Sequence, residues 1–553
     1  MTKKTYDAIV IGSGATGGFA VKELTERGLQ VLLLEAGPIH SNKDFEKIDN
    51  NTDMKGMNIT SRIRAFLRGQ YIQALAASFS EAYSFLYTND RKNPYSHPLG
   101  RFYLWIRGRH LGGRFLNWGR VLMRMSDYDF KAADKDGHGE NWPICYDDLV
   151  PYYDHVESFL GVVGQENSIP NLPDGKYISK ARLTTAEQQF KKKTEARWSN
   201  RRIIPWRYMS AHAIKNHTPT TILAAQSTGR LNIKANAIAK RILIDEQSGL
   251  ATGVIYVDGV TKREETVSAN IIFVCASTIE SVRLLLNSAC PTHPSGLGNS
   301  SGTLGHYFMD QTVSIIAGTV PGTTGWEQGD QGFGDTTLSN PGGIYIPRFQ
   351  NLDKITHPEF ARGFNIQGEI GRRKNSKDAP ATYGFMAQGE MLPRFENSIT
   401  INRRRTDAWG IPVPHITCTT TDNDHKMLQA QLKALKEMVV ENGLQIDFAA
   451  NVLGLDDPAH LLPNENFVTR LLFRLSYKKS LAIGAAIHEC GGARMGNDPK
   501  KSVLNSNNQM WDVKNIFVTD SSCFVTSGSC GPTLTTMALT VRACEFAVRE
   551  FGK

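Results

Sequence analysis

Long apolar runs are what this chain most plainly lacks. No uninterrupted stretch approaches the roughly 18 residues that a membrane-crossing helix needs, so no membrane span is expected. The opening residues, Met1-Thr2-Lys3-Lys4-Thr5, lead straight into a strand-like segment without the apolar centre of an export signal, which makes the cytoplasm the expected location. Cysteine is sparse too. The eight thiols (Cys145, Cys275, Cys290, Cys418, Cys490, Cys523, Cys530 and Cys544) contain no C-x-x-C pair, and several sit inside apolar runs. That pattern excludes a C-x-x-C-H haem site and reads as buried thiols in a reducing compartment. Charge of one sign is weak: 63 Lys and Arg against 54 Asp and Glu leave +9 over 553 residues. The largest clusters, Arg403-Arg404-Arg405 and Lys191-Lys192-Lys193, read as solvated basic faces, and no nucleic-acid partner is expected. No repeat, low-complexity tract or clear linker divides the chain.

What remains is an ordinary globular composition, 41% apolar and 21% charged, with a mean hydropathy of −0.31. It excludes a disordered or fibrous chain. The length exceeds what one core usually spans, so two or more lobes are expected.

The first segment carries the strongest local signal. Tyr6 to Ile11 reads as a buried parallel strand, followed at once by Gly12-Ser13-Gly14-Ala15-Thr16-Gly17. A helix is predicted over Ala15–Arg27 with Gly28 as its stop, then a strand over Gln30–Leu34 that ends on Glu35. In such a unit Gly12 permits a tight turn, Gly14 lets the backbone approach a pyrophosphate, and Gly17 lets helix and strand pack closely. The helix N-terminus offers free N–H groups to phosphates. Glu35, 18 residues past Gly17, can accept both hydroxyl protons of an adenosine ribose. A lone G-x-G-x-x-G is weak; strand, glycines, helix, strand and acid in this order are specific. The unit by itself leaves NAD and FAD open.

Later segments narrow the choice. Gly108 to Gly119 (GRHLGGRFLNWG), together with Glu35-Ala36-Gly37, resembles the glucose–methanol–choline (GMC) oxidoreductases, FAD enzymes that oxidise alcohols. His488 to Gly496 (HECGGARMG) is similar to that family's H-x-x-G-x-x-R-M-G segment, and Asn515 to Asp520 to its N-L-F-V-x-D strand. Pro532 to Leu539 resembles the helix that ends the family fold, and Val274 to Ser281 the strand and turn that rejoin the FAD domain. Within the family, Trp118-Gly119-Arg120, Ser126 to Phe130, Trp142-Pro143, Gly389 to Pro393 and Asp407 to Pro412 resemble bacterial sugar and glycoside dehydrogenases and oxidases.

The resemblance implies an α/β fold: a Rossmann-like FAD-binding domain and a substrate domain whose antiparallel sheet is backed by helices. The bounds it implies are 1–310 for the FAD domain, with lid and insert segments at about 38–100 and 143–200, then 311–480 for the substrate domain and 481–553 for the return. It places the FAD among Gly12, Ser13, Gly14, Ala15, Thr16, Gly17, Glu35, Ala36, Gly112, Asn117, Trp118, Gly119, Ala237, Ala276, Asp520, Pro532 and Thr533. Asn117 stands where relatives with covalently tethered FAD have a histidine. An amide cannot form that bond, so the FAD is expected to be non-covalent. His488 becomes the base that takes the hydroxyl proton while a hydride passes from the same carbon to flavin N5. The substrate implied is a secondary hydroxyl of a sugar or glycoside, with a bulky aryl or natural-product alcohol as the alternative.

One position departs from the family. The residue before the Pro-Thr-Leu-Thr helix is usually Asn or His and binds the substrate oxygen; here it is Gly531. Three accounts compete: water or a neighbouring side chain (Ser529 or Cys530) replaces the contact, the space admits a bulkier substrate, or ordinary alcohol oxidation is lost, leaving a flavoprotein scaffold or sensor. Residues 203–235 contain no Cys, so the iron–sulfur ligands of some bacterial relatives are missing, and no metal is expected. Electrons are expected to leave directly to oxygen, a quinone or another carrier. The exact substrate, the acceptor and the oligomeric state stay open.

Two rival readings are weak. Gly298-Asn299-Ser300-Ser301-Gly302 spells G-x-S-x-G but follows a loop and not the strand a nucleophile elbow requires. His212 and His217 are five apart, the wrong spacing for one helix face. Phe66 to Tyr87 is expected to form a lid or core helix over the cofactor, with contact to a membrane or partner as the alternative, and Pro321 to Gly325 and Gly329 to Gly334 are expected to be loops. In the second half, strands are expected over Asn397–Ile401 and Pro414–Cys418 and a helix over Asp422–Asn442.

Overall fold

The computed structural model describes residues 5–49, 59–76, 79–324, 342–372, 379–456 and 467–552. Parallel strands buried on both faces are built from unbroken aliphatic runs. Ala8-Ile9-Val10-Ile11 in β1 (Thr5–Ile11) and Val31-Leu32-Leu33-Leu34 in β2 (Val31–Leu34) are such runs, and all of these residues are buried. Alternate residues of β1 serve opposite faces, as the pleat dictates. Ala8 and Val10 pack with Ala20, Val21 and Leu24 of helix α1 (Ala15–Glu26) and with Ala543 and Ala547 of the last helix, Thr533–Phe551. Ile9 and Ile11 join the opposite core, which holds Ile279, Val282 and Leu285 of α2 (Thr278–Asn287). Gly28, at φ +94°, ends the α1 turn in the left-handed conformation that glycine adopts without penalty.

The first sheet has seven strands, with Leu231–Lys234, β2, β1 and β3 (Glu264–Val274) parallel and in that order. Ala251–Asp258 and Ala237–Ile244 continue it antiparallel from the first half of β3, and Ile516–Val518 pairs parallel with the second half. The register sets Ile11 opposite both Leu34 and Val274, and Val274 opposite Val518. Gly12, Glu35, Cys275 and Thr519 therefore leave the sheet side by side along its carboxyl edge, where open α/β sheets bind ligands.

The second sheet also has seven strands, all antiparallel. At its centre lie β4 (Gln311–Thr324), β5 (Phe364–Ile370) and β6 (Pro380–Glu390), and Ile204–Pro205 forms one edge. Helix α3 (Asp422–Glu441) backs it. Thr421 and Asp424 form a reciprocal capping box at its start. Met427, Leu435, Met438 and Val439 then meet Ile316, Phe385 and Ala387 of the sheet.

Two expectations need correction. Phe66 to Tyr87 is not one helix: the helix Ile59–Leu67 stops at Gly69 (φ +81°), and only the single turns Gln73–Leu75 and Ser84–Leu86 follow. Gln73 explains part of this, since its side chain donates to Asp90 and to the Trp105 carbonyl and holds the chain in a non-helical path. Pro321 to Thr324 is strand, not loop, because the ladder to β6 skips from Thr319 to Thr324 and so asks no N–H of Pro321. Gly325 and Gly329 to Gly334 lie outside the described residues. The strands Ser398–Thr406 and Pro412–Thr417 exist, but they form a separate hairpin packed on α2 and take no part in the second sheet. Among the described residues no helix is long and apolar enough to cross a membrane.

Candidate active site

A cavity of about 390 Å³ runs along the carboxyl edge of the first sheet. Its nucleotide end is built on the glycine turn. Gly12 has φ +96°, and a Cβ there would collide with the Cys275 carbonyl; a Cβ on Gly17 would collide with the Gly12 carbonyl. Gly14 differs: a Cβ there meets nothing within 4 Å, and Gly14, Ser13, Ala15 and Thr16 line the cavity. Gly17 lies behind the turn, where it packs.

Glu35, also in the wall, is fully buried. It accepts hydrogen bonds from the Ser13 N–H and hydroxyl on Oε2 and from Gly37 N–H on Oε1 at 2.8 Å, which leaves Oε1 the freer oxygen. Burial raises its pKa against the pull of those donors. Ala36 and Ala237 line the same end, and the Ala237 N–H donates to the Glu35 carbonyl at 2.8 Å. The Ser13 hydroxyl also accepts from Gly112 N–H at 2.9 Å, which ties the glycine turn to the segment leading to Asn117. Gly112 itself does not line the cavity; it holds φ +88° at the start of the turn Gly113–Leu116.

The middle of the cavity is bounded by Ala276, Asp520, Pro532 and Thr533. Asp520 accepts from the Ser522 N–H (3.0 Å) and hydroxyl (2.6 Å) and from the Ser281 hydroxyl, and burial raises its pKa. Asn117, Trp118, Gly119, Ile106, Ala486, Ile487 and His488 line the same cavity. Asn117 Oδ1 and Trp118 Nε1 are buried without a hydrogen-bond partner among the described residues. Ile487 has φ +59°, a strained conformation for a β-branched residue, directly before His488.

His488 is held by two hydrogen bonds, one from its backbone and one at its ring. Its N–H donates to Asp310 Oδ1 at 3.1 Å, and its Nδ1 lies 2.7 Å from Gln311 Oε1. A Cβ on Gly531 would stand 3.4 Å from its Nε2. Gly531 thus adjoins the imidazole although it does not itself line the cavity. Burial, with Arg114 nearby, pushes the His488 pKa down to about 4. Asp310 moves the other way, up to about 7, through burial and the neighbouring Glu489, which pairs with Arg114 at 2.8 Å. Ser529 and Cys530, the side chains weighed as substitutes for the one missing at 531, are turned elsewhere: the Ser529 hydroxyl donates to Asp129 at 3.4 Å and the Cys530 thiol points at the Met123 carbonyl. Neither side chain takes the place of the one missing at 531. Sequence reasoning missed Asp310 and Gln311, because nothing in a strand start 177 residues upstream marks it as the partner of His488.

The fold and this edge define a nucleotide-binding α/β protein with a histidine in a cavity lined by apolar, polar and charged side chains. The GMC oxidoreductase pattern matches residues 6–313 with its amino-terminal part and residues 393–540 with its carboxy-terminal part. The chain belongs to the GMC oxidoreductase family. It is 25% identical to 2-methyl-1,2-propanediol dehydrogenase of Mycolicibacterium austroafricanum, over 99% of this chain and 96% of that one. The fructose dehydrogenase large subunit of Gluconobacter japonicus is 22% identical, over 98% of each. Pyridoxine 4-oxidase from Mesorbium loti shares the fold, with a TM-score of 0.62 at 16% identity over 98% of this chain and 99% of that one.

The protein is an FAD-dependent alcohol oxidoreductase, and its residues fit the cofactor. The space in front of Gly14 admits a pyrophosphate against the backbone, and the unpartnered Asn117 Oδ1 and Trp118 Nε1 await a polar ring system. Asn117 offers no nucleophilic nitrogen, which accords with non-covalent FAD.

Proposed function

We propose that the protein oxidises a secondary hydroxyl of a sugar or glycoside to the carbonyl, with His488 as the base. The observation that carries this reading is the imidazole itself: half-buried in the cavity wall, neutral above about pH 4, with Nε2 beside Gly531. FAD, when bound, supplies the hydride acceptor. The chain's own residues do the rest. The Gly12–Gly17 turn and the start of α1 hold the pyrophosphate, Glu35 a ribose hydroxyl, and Ala36 and Ala237 the adenine side. Gly112, Ala276, Asp520, Pro532 and Thr533 shape the middle of the site, and Asn117, Trp118 and Gly119 the flavin end. His488 Nε2 accepts the hydroxyl proton as the carbon–oxygen bond becomes a carbonyl. Gly531 leaves room for a ring substituent where relatives place a side chain. We read residues 1–310 and 481–553 as the FAD lobe and 311–480 as the substrate lobe, with the pocket at their boundary.

The fructose dehydrogenase subunit supports the sugar reading. A bulky aryl or natural-product alcohol is the second reading, favoured by the apolar wall of Ile106, Ala486 and Ile487. The visible spectrum followed anaerobically with added sugars, glycosides and aryl alcohols separates them. Flavin bleached by sugars or glycosides supports the first, bleaching by aryl alcohols alone the second, and flavin that stays oxidised throughout sinks both.

A further inference from the structure

We propose that Gln311 is a positioning residue that fixes His488 in the Nδ1–H tautomer and so leaves Nε2 as the atom able to take a proton. The inference rests on the reading of His488 as base, and it adds how the chain decides which ring nitrogen does the work.

A primary amide has one donating end and one accepting end. The Nε2 of Gln311 donates to two carbonyls, Gly528 O at 2.9 Å and Cys530 O at 3.2 Å. Carbonyls only accept, so a flipped amide would lose both bonds and set two oxygens against its own. The orientation is therefore decided by the 528–530 loop. It leaves Oε1, an acceptor, 2.7 Å from His488 Nδ1. An acceptor at that distance requires a proton on Nδ1. A neutral imidazole carries one ring proton, so Nε2 holds a lone pair, on the side where Gly531 opens.

The rest of the surroundings keeps this arrangement rigid. Gln311 is buried at the first residue of β4, with its N–H on Asp310 Oδ1 at 2.8 Å, and that same oxygen accepts from His488 N–H. The loop is held independently, because Asn365 Nδ2 donates to the Ser529 carbonyl at 2.6 Å and the Ser529 N–H to Asp129. The second sheet thus grips both the base and the loop that carries Gly531. The choice of glutamine over glutamate also matters. A carboxylate on Nδ1 would stabilise the imidazolium and make proton release harder, whereas an amide sets direction without adding charge.

The test uses the FAD-loaded protein with 15N-labelled histidine, His488 being assigned by its loss in His488→Ala. Wild type is expected to show a protonated Nδ1 and an unprotonated Nε2 at neutral pH. Gln311→Met should mix the two tautomers and lower kcat about 10- to 100-fold with little change in KM, the size seen for groups that orient an active side chain. Gln311→Glu should move the acid limb of kcat/KM upward by at least one pH unit. A wild-type spectrum with the proton on Nε2 would overturn the proposal. So would a Gln311→Glu enzyme whose flavin spectrum and acid limb both match wild type while His488→Ala is inactive. Turnover retained in His488→Ala would instead remove the base assignment, and the tautomer spectrum would still decide the role of Gln311. If the Glu variant does not fold, the wild-type and Met spectra decide.

Discussion

At the scale of single residues, the position that distinguishes this protein is Gly531. Its backbone lies outside the left-handed region, so a side chain is conformationally allowed, and a Cβ there would make ordinary contact with the His488 ring at 3.4 Å. Gly531→Asn is therefore expected to fold and hold flavin normally, while KM for glycosides rises relative to that for small alcohols. Steady-state kinetics on both classes checks this; an insoluble variant would show that the glycine serves the backbone. The pH profile is the second residue-scale consequence. Burial and Arg114 hold the His488 pKa down from 6.5 to about 4. A depressed base is neutral and competent above that value and is lost as pH falls through it, so kcat/KM should drop on the acid side of about pH 4 and not near 6.5. An acid limb at 6.5 would mean a solvated, exposed ring.

At the scale of elements, the three glycines of the β1–α1 turn serve different physical ends although the motif writes them alike. Gly17 is a packing glycine, since a methyl group there would collide with the Gly12 carbonyl, and Gly14 is a contact glycine that faces open cavity. Gly17→Ala should cost more than about 3 kcal/mol or prevent folding, as overpacking against backbone does. Gly14→Ala should melt like wild type yet lose FAD affinity. Thermal melts of the flavin-free proteins, set beside FAD titrations, separate the two, and equal melting temperatures would defeat the distinction. The motif was legible because spacing and residue type carry it. The long helix expected from Phe66 to Tyr87 was misread for the opposite reason: apolar content suits a helix or a coil wrapped over a core, and the Gly69 stop and the Gln73 hydrogen bonds decide between them.

At the scale of the molecule, the cavity lies where four distant segments leave one sheet edge, so binding there crosslinks residues from both ends of the chain. A ligand that binds only the folded state stabilises it by about 2.7 kcal/mol at a hundredfold excess over Kd. Stripping FAD is accordingly expected to lower the melting temperature by several degrees, with readdition restoring it. An unchanged Tm, read by circular dichroism on both forms, would show that the cofactor bridges nothing. The hairpin Ser398–Thr406/Pro412–Thr417 belongs to this scale too. Its two strands were expected, but their place was not: the hairpin stands apart from the second sheet and is fastened to α2 by the buried pair Arg283 and Asp407 at 2.8 Å.

The amino-acid sequence by itself determined the strand, glycine turn and helix at the start of the chain, because they rest on local pattern: a period of hydrophobic residues, a glycine that only a turn needs; its resemblance to motifs of fixed spacing gave the family and the cofactor. The tertiary structure alone decided what surrounds His488. Asp310 and Gln311 reach His488 from a strand start far upstream, and Ser529 and Cys530, neighbours of Gly531 in the chain, turn away from it. Contacts of that kind depend on how two sheets are set against one loop, and spacing along a chain carries no record of that distance.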